Sequence, residues 1–262
     1  RHGGSRRCGS RVAALQLDAD RVCGVTLSSG ERIQADAVVS NADIWSTLAL
    51  LPDDVARSWQ RQRAGTPPCQ SFLHLHLGFA ADGLEDLPIH TVWVGDWRRG
   101  ITAERNAVVL SVPSVLDPGM APSGQHVLHG YTPANEPWQL WRDLKRGSEA
   151  YNSLKSKRCQ VFWTVLEQQI PDIRDRCKVV MEGSPLSHSR FLNVHEGSYG
   201  PALSAAKGLF PGVTTPLSGL WMCGASTFPG IGIPPVAASG ALAAHAVLGR
   251  QAQAELLREL GI

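Results

Sequence analysis

The chain has 262 residues, 43% of them hydrophobic and 18% charged, enough to bury the core of one large domain or two small ones. Twenty-five basic against 23 acidic residues leave a formal charge of +2 with no run of like charges, which argues against a nucleic-acid partner. No apolar stretch approaches the roughly 18 residues that a membrane-crossing helix needs, and Cys8, Cys23, Cys69, Cys159, Cys177 and Cys223 lie without C-x-x-C spacing, giving neither a disulfide framework nor a zinc motif.

The chain opens on Arg1 and a Gly- and Arg-rich stretch, RHGGSRRCGSR, so the sequence is expected to be a trimmed piece. Two short apolar runs, residues 12–17 and 22–27, flank Asp18-Ala19-Asp20 and precede the turn Ser28-Ser29-Gly30, the pattern of a hairpin. The unbroken triplet Ala37-Val38-Val39 predicts a strand buried on both faces, ending at Ser40-Asn41-Ala42-Asp43. Residues 44–63 read as helical, with Asp43 as N-cap and Pro52 dividing the stretch into two short helices. After Thr66-Pro67-Pro68, residues 71–77 alternate strictly and put Phe72, His74 and His76 on one face of a strand. Two histidines make a metal pair only if further ligands join them. The spacing places none, so no metal site is expected.

Strands are predicted next at 90–94, 107–112 and 126–131, spaced as in a mostly antiparallel sheet. Between residues 143 and 170, Leu144, Leu154, Val161, Phe162, Val165, Leu166 and Ile170 follow an amphipathic pattern that Pro171 stops, a helix expected to cover one face of that sheet. Trp138, Trp141 and Trp163 are read as packing residues rather than an aromatic pocket. The final stretch is strand, loop and helix: residues 220–223, a Gly-rich segment over 224–235, and an Ala-rich helix over 236–248 that opens on prolines. Gly224, Gly230 and Gly232 remove side chains where the backbone enters that helix. Exposed N–H groups and the helix dipole there would favour a flat or anionic ligand, although a tight structural turn uses the same residues.

The loop Gly224-Ala225-Ser226-Thr227-Phe228-Pro229-Gly230-Ile231-Gly232-Ile233-Pro234 resembles the C-terminal flavin motif of the phytoene desaturase and carotenoid isomerase family. The likeness extends to Val25-Thr26-Leu27 with Gly30-Glu31, to residues 35–43, to 112–118 with 121–124, and to 183–192, and so covers about residues 12–249. It implies a fold of α/β with α+β character. An incomplete FAD-binding, glutathione-reductase-like domain would comprise residues 1–68 and 183–262, and a substrate domain with a mostly antiparallel sheet would comprise 69–182. FAD contacts would fall on Gly224, Ala225, Ser226, Gly230, Gly232, Ile233 and Pro234, and the partner would be a carotenoid or other polyene in an apolar tunnel, isomerised or desaturated.

The family's opening strand and G-x-G-x-x-G turn, which seats the ADP pyrophosphate on a helix N-terminus, has no counterpart in these residues, so they alone are expected to bind FAD weakly or not at all. The isomerase branch usually carries Asp where Ala225 stands, and bacterial-type desaturases often carry Ala, which leaves both activities open. No catalytic residue is assigned; His188, Arg190 and Glu196, near the expected cleft, read as structural. A second reading is a catalytically inactive relative, kept as a structural or carotenoid-binding subunit of a larger photosynthetic assembly. On either reading the resemblance implies a plastid location at the thylakoid, with peripheral membrane contact.

Overall fold

In a computed structural model, which describes residues 3–203 and 210–261, the apolar runs of the first forty residues become a meander. β1 (Val12–Asp18) pairs antiparallel with β2 (Arg21–Leu27), and β2 with β3 (Arg32–Gln34). Gly24 is required where β2 meets β3, because a Cβ there would lie 2.2 Å from the Ile33 carbonyl oxygen. β4 (Val38–Ser40) follows, then α1 (Ile44–Leu48), whose first turn is capped by the Asp43 carboxylate accepting from the Ser46 N–H at 2.7 Å. Pro52 breaks the helical run as predicted, and α2 (Arg57–Ala64) is the second piece.

β5 (His74–Ala80), β6 (His90–Val94), β7 (Ala107–Ser111) and β8 (Gln125–Tyr131) come next, then α3 (Glu149–Gln169), α4 (Ile173–Arg176) and β9 (Cys177–Gly183). The five strands form one antiparallel sheet in the order β6-β7-β8-β5-β9. Alternation on β5 turns Leu75, Leu77 and Phe79 into a core with Val108, Leu110, Leu128, Phe162 and Leu166, so that α3 covers this face of the sheet. α3 starts at Ser148, whose hydroxyl accepts from the Tyr151 N–H, and ends at Ile170, just ahead of Pro171. Trp141 and Trp163 are buried in this core, which is the packing role expected of them. Trp141 also donates its indole N–H to the wholly buried Glu136 at 2.8 Å, and Glu136 in turn pairs with the Arg158 guanidinium. α5 (Pro185–Leu192) follows β9.

The C-terminal part returns to the first strands. β10 (Leu220–Met222) pairs in parallel with β4, Leu220 opposite Val38, so residues far apart in sequence lie side by side. α6 (Ile233–Leu248) and α7 (Arg250–Glu259) end the chain. Leu15, Val22, Ile44, Leu48, Leu220 and Met222 form a second core. Val39 is 44% exposed, which corrects the expectation of a strand buried on both faces. Among the described residues the β4–β10 pair gains no third strand, and parallel strands are buried only where helices cover both faces.

The chain divides into two compact units, Arg1–Pro67 with Gly200–Ile262, and Pro68–Tyr199. Residues 183–199, assigned by resemblance to the flavin-type part, belong to the second unit. The Ser71 hydroxyl ties them there, donating to the Gly197 carbonyl at 2.6 Å, and Tyr151 shares a hydrogen bond with Ser184 at 2.9 Å.

Candidate functional site

The Gly-rich loop lies wholly in the first unit and is held by its own polar groups. The Gly224 N–H donates to the buried Ser239 hydroxyl at 2.7 Å, Ser239 donates to the Val236 carbonyl, and the Thr227 hydroxyl donates to the Gly224 carbonyl at 2.9 Å. Ser226 is buried and its hydroxyl accepts from the Ile44 N–H at 3.0 Å, joining the loop to α1.

Three of the seven residues expected to touch flavin are therefore used inward. A Cβ on Gly224 would come 2.5 Å from the Asn41 side-chain oxygen, one on Gly230 would come 3.3 Å from the Phe210 ring, and Ser226 has a backbone partner. Ala225 is half-buried. The remaining three, Gly232, Ile233 and Pro234, form the open end of the loop, where Ile233 is 88% exposed and a Cβ on Gly232 would meet nothing nearer than Pro235 at 3.6 Å.

The expected anion seat at the start of α6 needs correction. Of the first three helical residues only Ile233 carries an N–H, since Pro234 and Pro235 have none, and the Val236 N–H already donates to the Gly232 carbonyl at 2.9 Å. Few donors are left for a phosphate. What the open end offers is an apolar step, bare of a side chain at Gly232 and formed beyond it by Ile233 and Pro234. Because Ser226 serves α1, Ser226→Ala should cost about 1–2 kcal/mol through the Ile44 N–H it leaves unpaired. Thermal or urea unfolding would register that loss, and an unchanged transition would show the bond to be dispensable.

A second cluster, which the sequence only half revealed, lies on the sheet of the second unit. The face of β5 away from α3 carries His74, His76 and Gly78, and the register places His129 of β8 opposite His76. His74 Nδ1 and His129 Nε2 are 2.7 Å apart and share one proton in a hydrogen bond, and their rings are parallel within 1°. The His76 and His129 rings stack 4.6 Å apart, and His188 of α5 approaches His74 to 4.7 Å between centroids. Burial, together with the neighbouring imidazoles, pushes His74 down to about 3 and His129 down to about 4; burial also lowers His76 and His188. All four rings are neutral at pH 7.

Two cavities open on this face. One of about 370 Å³ is lined by His74, His76, His129, His188, Phe191 and Leu192; the other, of about 360 Å³, shares His76 and His129 and is lined by Val127, Val179 and Met181. Met181, Phe191 and Leu192 are more than half exposed, so the surface beside the imidazoles is uncovered hydrocarbon.

Of the three residues read as structural, His188 joins this cluster, Arg190 is exposed, and Glu196 lies 3.9 Å from His195. The expectation of no metal-competent group is revised by the same arrangement, because one ligand atom from each of His74, His76 and His129 lies within 4.8 Å of the other two. The H-x-H alternation was legible. His129 was hidden because its proximity depends on the β5–β8 register, which no local pattern encodes.

Comparison with known proteins gives a consistent picture. The family described as flavin containing amine oxidoreductase matches residues 1–248. Prolycopene isomerase 2, chloroplastic, of an Oncidium hybrid cultivar is 33% identical over 246 residues, covering 91% of this chain and 41% of that protein. The lycopene-forming phytoene desaturase of a Paracoccus species is 26% identical over 269 residues, 97% of this chain and 52% of that protein. The chain thus spans about half or less of the length of these curated relatives. Among solved structures, an oxidoreductase from Methanosarcina mazei superposes with a TM-score of 0.58 at 20% identity, over 92% of this chain and 49% of its own, a likeness of fold.

Proposed function

Taking as premise that this chain belongs to the flavin containing amine oxidoreductase family, among the carotenoid isomerases and desaturases, we propose that it forms the polyene-receiving part of a flavoprotein that isomerises a long conjugated hydrocarbon. The observation that carries this reading is the open sheet face of the second unit. A carotene has no group that can donate or accept a hydrogen bond, so a protein binds it by shape, dispersion and release of water. Val127, Val179, Met181, Phe191 and Leu192 present that kind of surface, and the adjoining imidazoles are neutral, so a hydrocarbon against them desolvates no charge.

In the first unit, Gly232, Ile233 and Pro234 would meet the isoalloxazine ring, while Gly224, Ala225, Ser226 and Gly230 shape the loop beneath it. A bound flavin would supply electron exchange with the polyene, and Gly232, Ile233 and Pro234 would orient its ring. The ring system and substrate class are supported by the family match; the individual contacts are our assignment.

Isomerisation is preferred over desaturation because the similarity to prolycopene isomerase is higher over a comparable span, 33% against 26%. Ala225, which stands where the isomerase branch usually has Asp, favours desaturation. By analogy with relatives named chloroplastic, the protein would work in a plastid, at the membrane surface where such a substrate dissolves. No helix among the described residues is long and apolar enough to cross a membrane.

The test uses the complete product of the gene, supplied with FAD and either prolycopene or phytoene in liposomes, with pigments separated by chromatography. Conversion of prolycopene to a more extended isomer without change in mass is the expected result. Loss of hydrogen from phytoene would make it a desaturase. Carotenoid retained without conversion would favour the inactive binding subunit, a reading that the uncovered Ala-rich surface of α6 also suits, since Ser239 and Ala243 are its buried positions.

A further inference from the structure

We propose that His74, His76 and His129 bind one divalent metal ion of the zinc class, with a further coordination position turned toward the cavity beside His188. The inference does not depend on the polyene reading; it rests on where two strands place three imidazoles. His74 and His76 project from the same face of β5, two residues apart, and the antiparallel register sets His129 of β8 directly opposite His76. Each ring offers a nitrogen, and the three ligand atoms lie within 4.8 Å of one another. Zinc–nitrogen bonds of about 2.0–2.1 Å put tetrahedral ligand atoms roughly 3.3 Å apart. Side-chain rotations that unstack the rings would have to close that gap with the strands in place.

The hydrogen bond between His74 Nδ1 and His129 Nε2 at 2.7 Å has to give way, and so does the stacking of the His76 ring on His129, because ring nitrogens ligate in the ring plane. An ion would take the place of the shared proton. His74 would ligate through Nδ1, so its own proton would move to Nε2, which is buried with no hydrogen-bond partner among the described residues. The backbone around the ring has also been cleared. Gly183 lies opposite His74 across β5–β9, and a Cβ there would approach the His74 Cβ to 3.2 Å.

The donor set selects the ion. Three imidazoles, with neither carboxylate nor thiolate among the residues lining the cavity, suit zinc, copper or nickel and are poor ligands for magnesium or calcium. Three histidines with an open position are also the arrangement of catalytic rather than structural zinc. The cavity of about 370 Å³ beside them provides an entry path.

The test uses the complete protein, expressed without a polyhistidine tag and stripped with a chelator. Zinc binding would be measured by titration calorimetry, and cobalt would be substituted to read geometry from its visible absorption. One zinc per chain is expected, with no response to magnesium, and cobalt bands of a four- or five-coordinate site. His76→Gln, at an exposed position, should weaken zinc about a hundredfold, as should His129→Gln. His90→Gln, on the exposed end of β6, should leave it unchanged. Circular dichroism separates lost ligands from lost fold. The proposal is overturned if no stoichiometric zinc binds, or if the His76→Gln/His129→Gln double variant remains folded and binds zinc as the parent does.

Discussion

Glu136→Ala is expected to lower stability by about 3–5 kcal/mol, which would show as a large fall in the denaturation midpoint at unchanged slope. Glu136 is wholly buried and holds three groups at once: the Trp141 indole N–H at 2.8 Å, the Arg158 guanidinium through both carboxylate oxygens, and, through its backbone, Ser71. Removing the carboxylate leaves the Arg158 charge, 8% exposed, without its main counter-ion in the core that α3 forms with the sheet. Glu104 also reaches Arg158 but is itself 42% exposed, so it retains part of the compensation and places the loss at the lower end of that range. Replacing both partners with apolar residues, Glu136→Leu with Arg158→Met, should recover part of the loss because no buried charge then remains. A Glu136→Ala variant within 1 kcal/mol of the parent would mean that water enters this core.

The residues that pattern reasoning located correctly are those whose structure is decided within a few neighbours. Asp43 caps α1, Pro52 breaks the helical run, Pro171 stops α3, and the alternation of residues 71–77 correctly separates Leu75 and Leu77 from His74 and His76. β9 went unrecognised because Lys178 and Glu182 interrupt its apolar residues, and it lies at a sheet edge where the pattern is weakest. α7 was missed since its sequence is polar on most sides and none of its described residues is buried.

The Gly-rich loop was legible as a loop entering a helix, but its internal bonding was not. Nothing local indicates that Ser226 is committed to Ile44, 182 residues away in sequence, or that Asn41 fills the space beside Gly224. The imidazole cluster shows the same limit. Half of it is a strand pattern, and the other half is a register between strands.

Gly232→Ala gives the sharpest division between a ligand step and a structural turn. Gly232 has φ 114° and ψ 160°, a region essentially restricted to glycine, so alanine there should cost about 1–3 kcal/mol from backbone strain alone. Its Cβ would enter otherwise open space at the exposed end of the loop, where the flavin ring is proposed to lie. Gly249→Ala supplies the matching control. Gly249 has φ 83° at the other end of α6, and no atom lies within 4 Å of its added Cβ, so it carries comparable strain away from the loop.

The decisive measurement is the visible flavin absorbance per folded molecule of the complete gene product, in the parent and in both variants, with folding quantified by thermal unfolding. The account predicts a flavin-bearing parent, a Gly249→Ala variant that loses stability but keeps its flavin, and a Gly232→Ala variant that loses flavin well beyond its unfolded fraction. A folded parent without flavin, or a Gly232→Ala variant that retains as much flavin as Gly249→Ala, would contradict it.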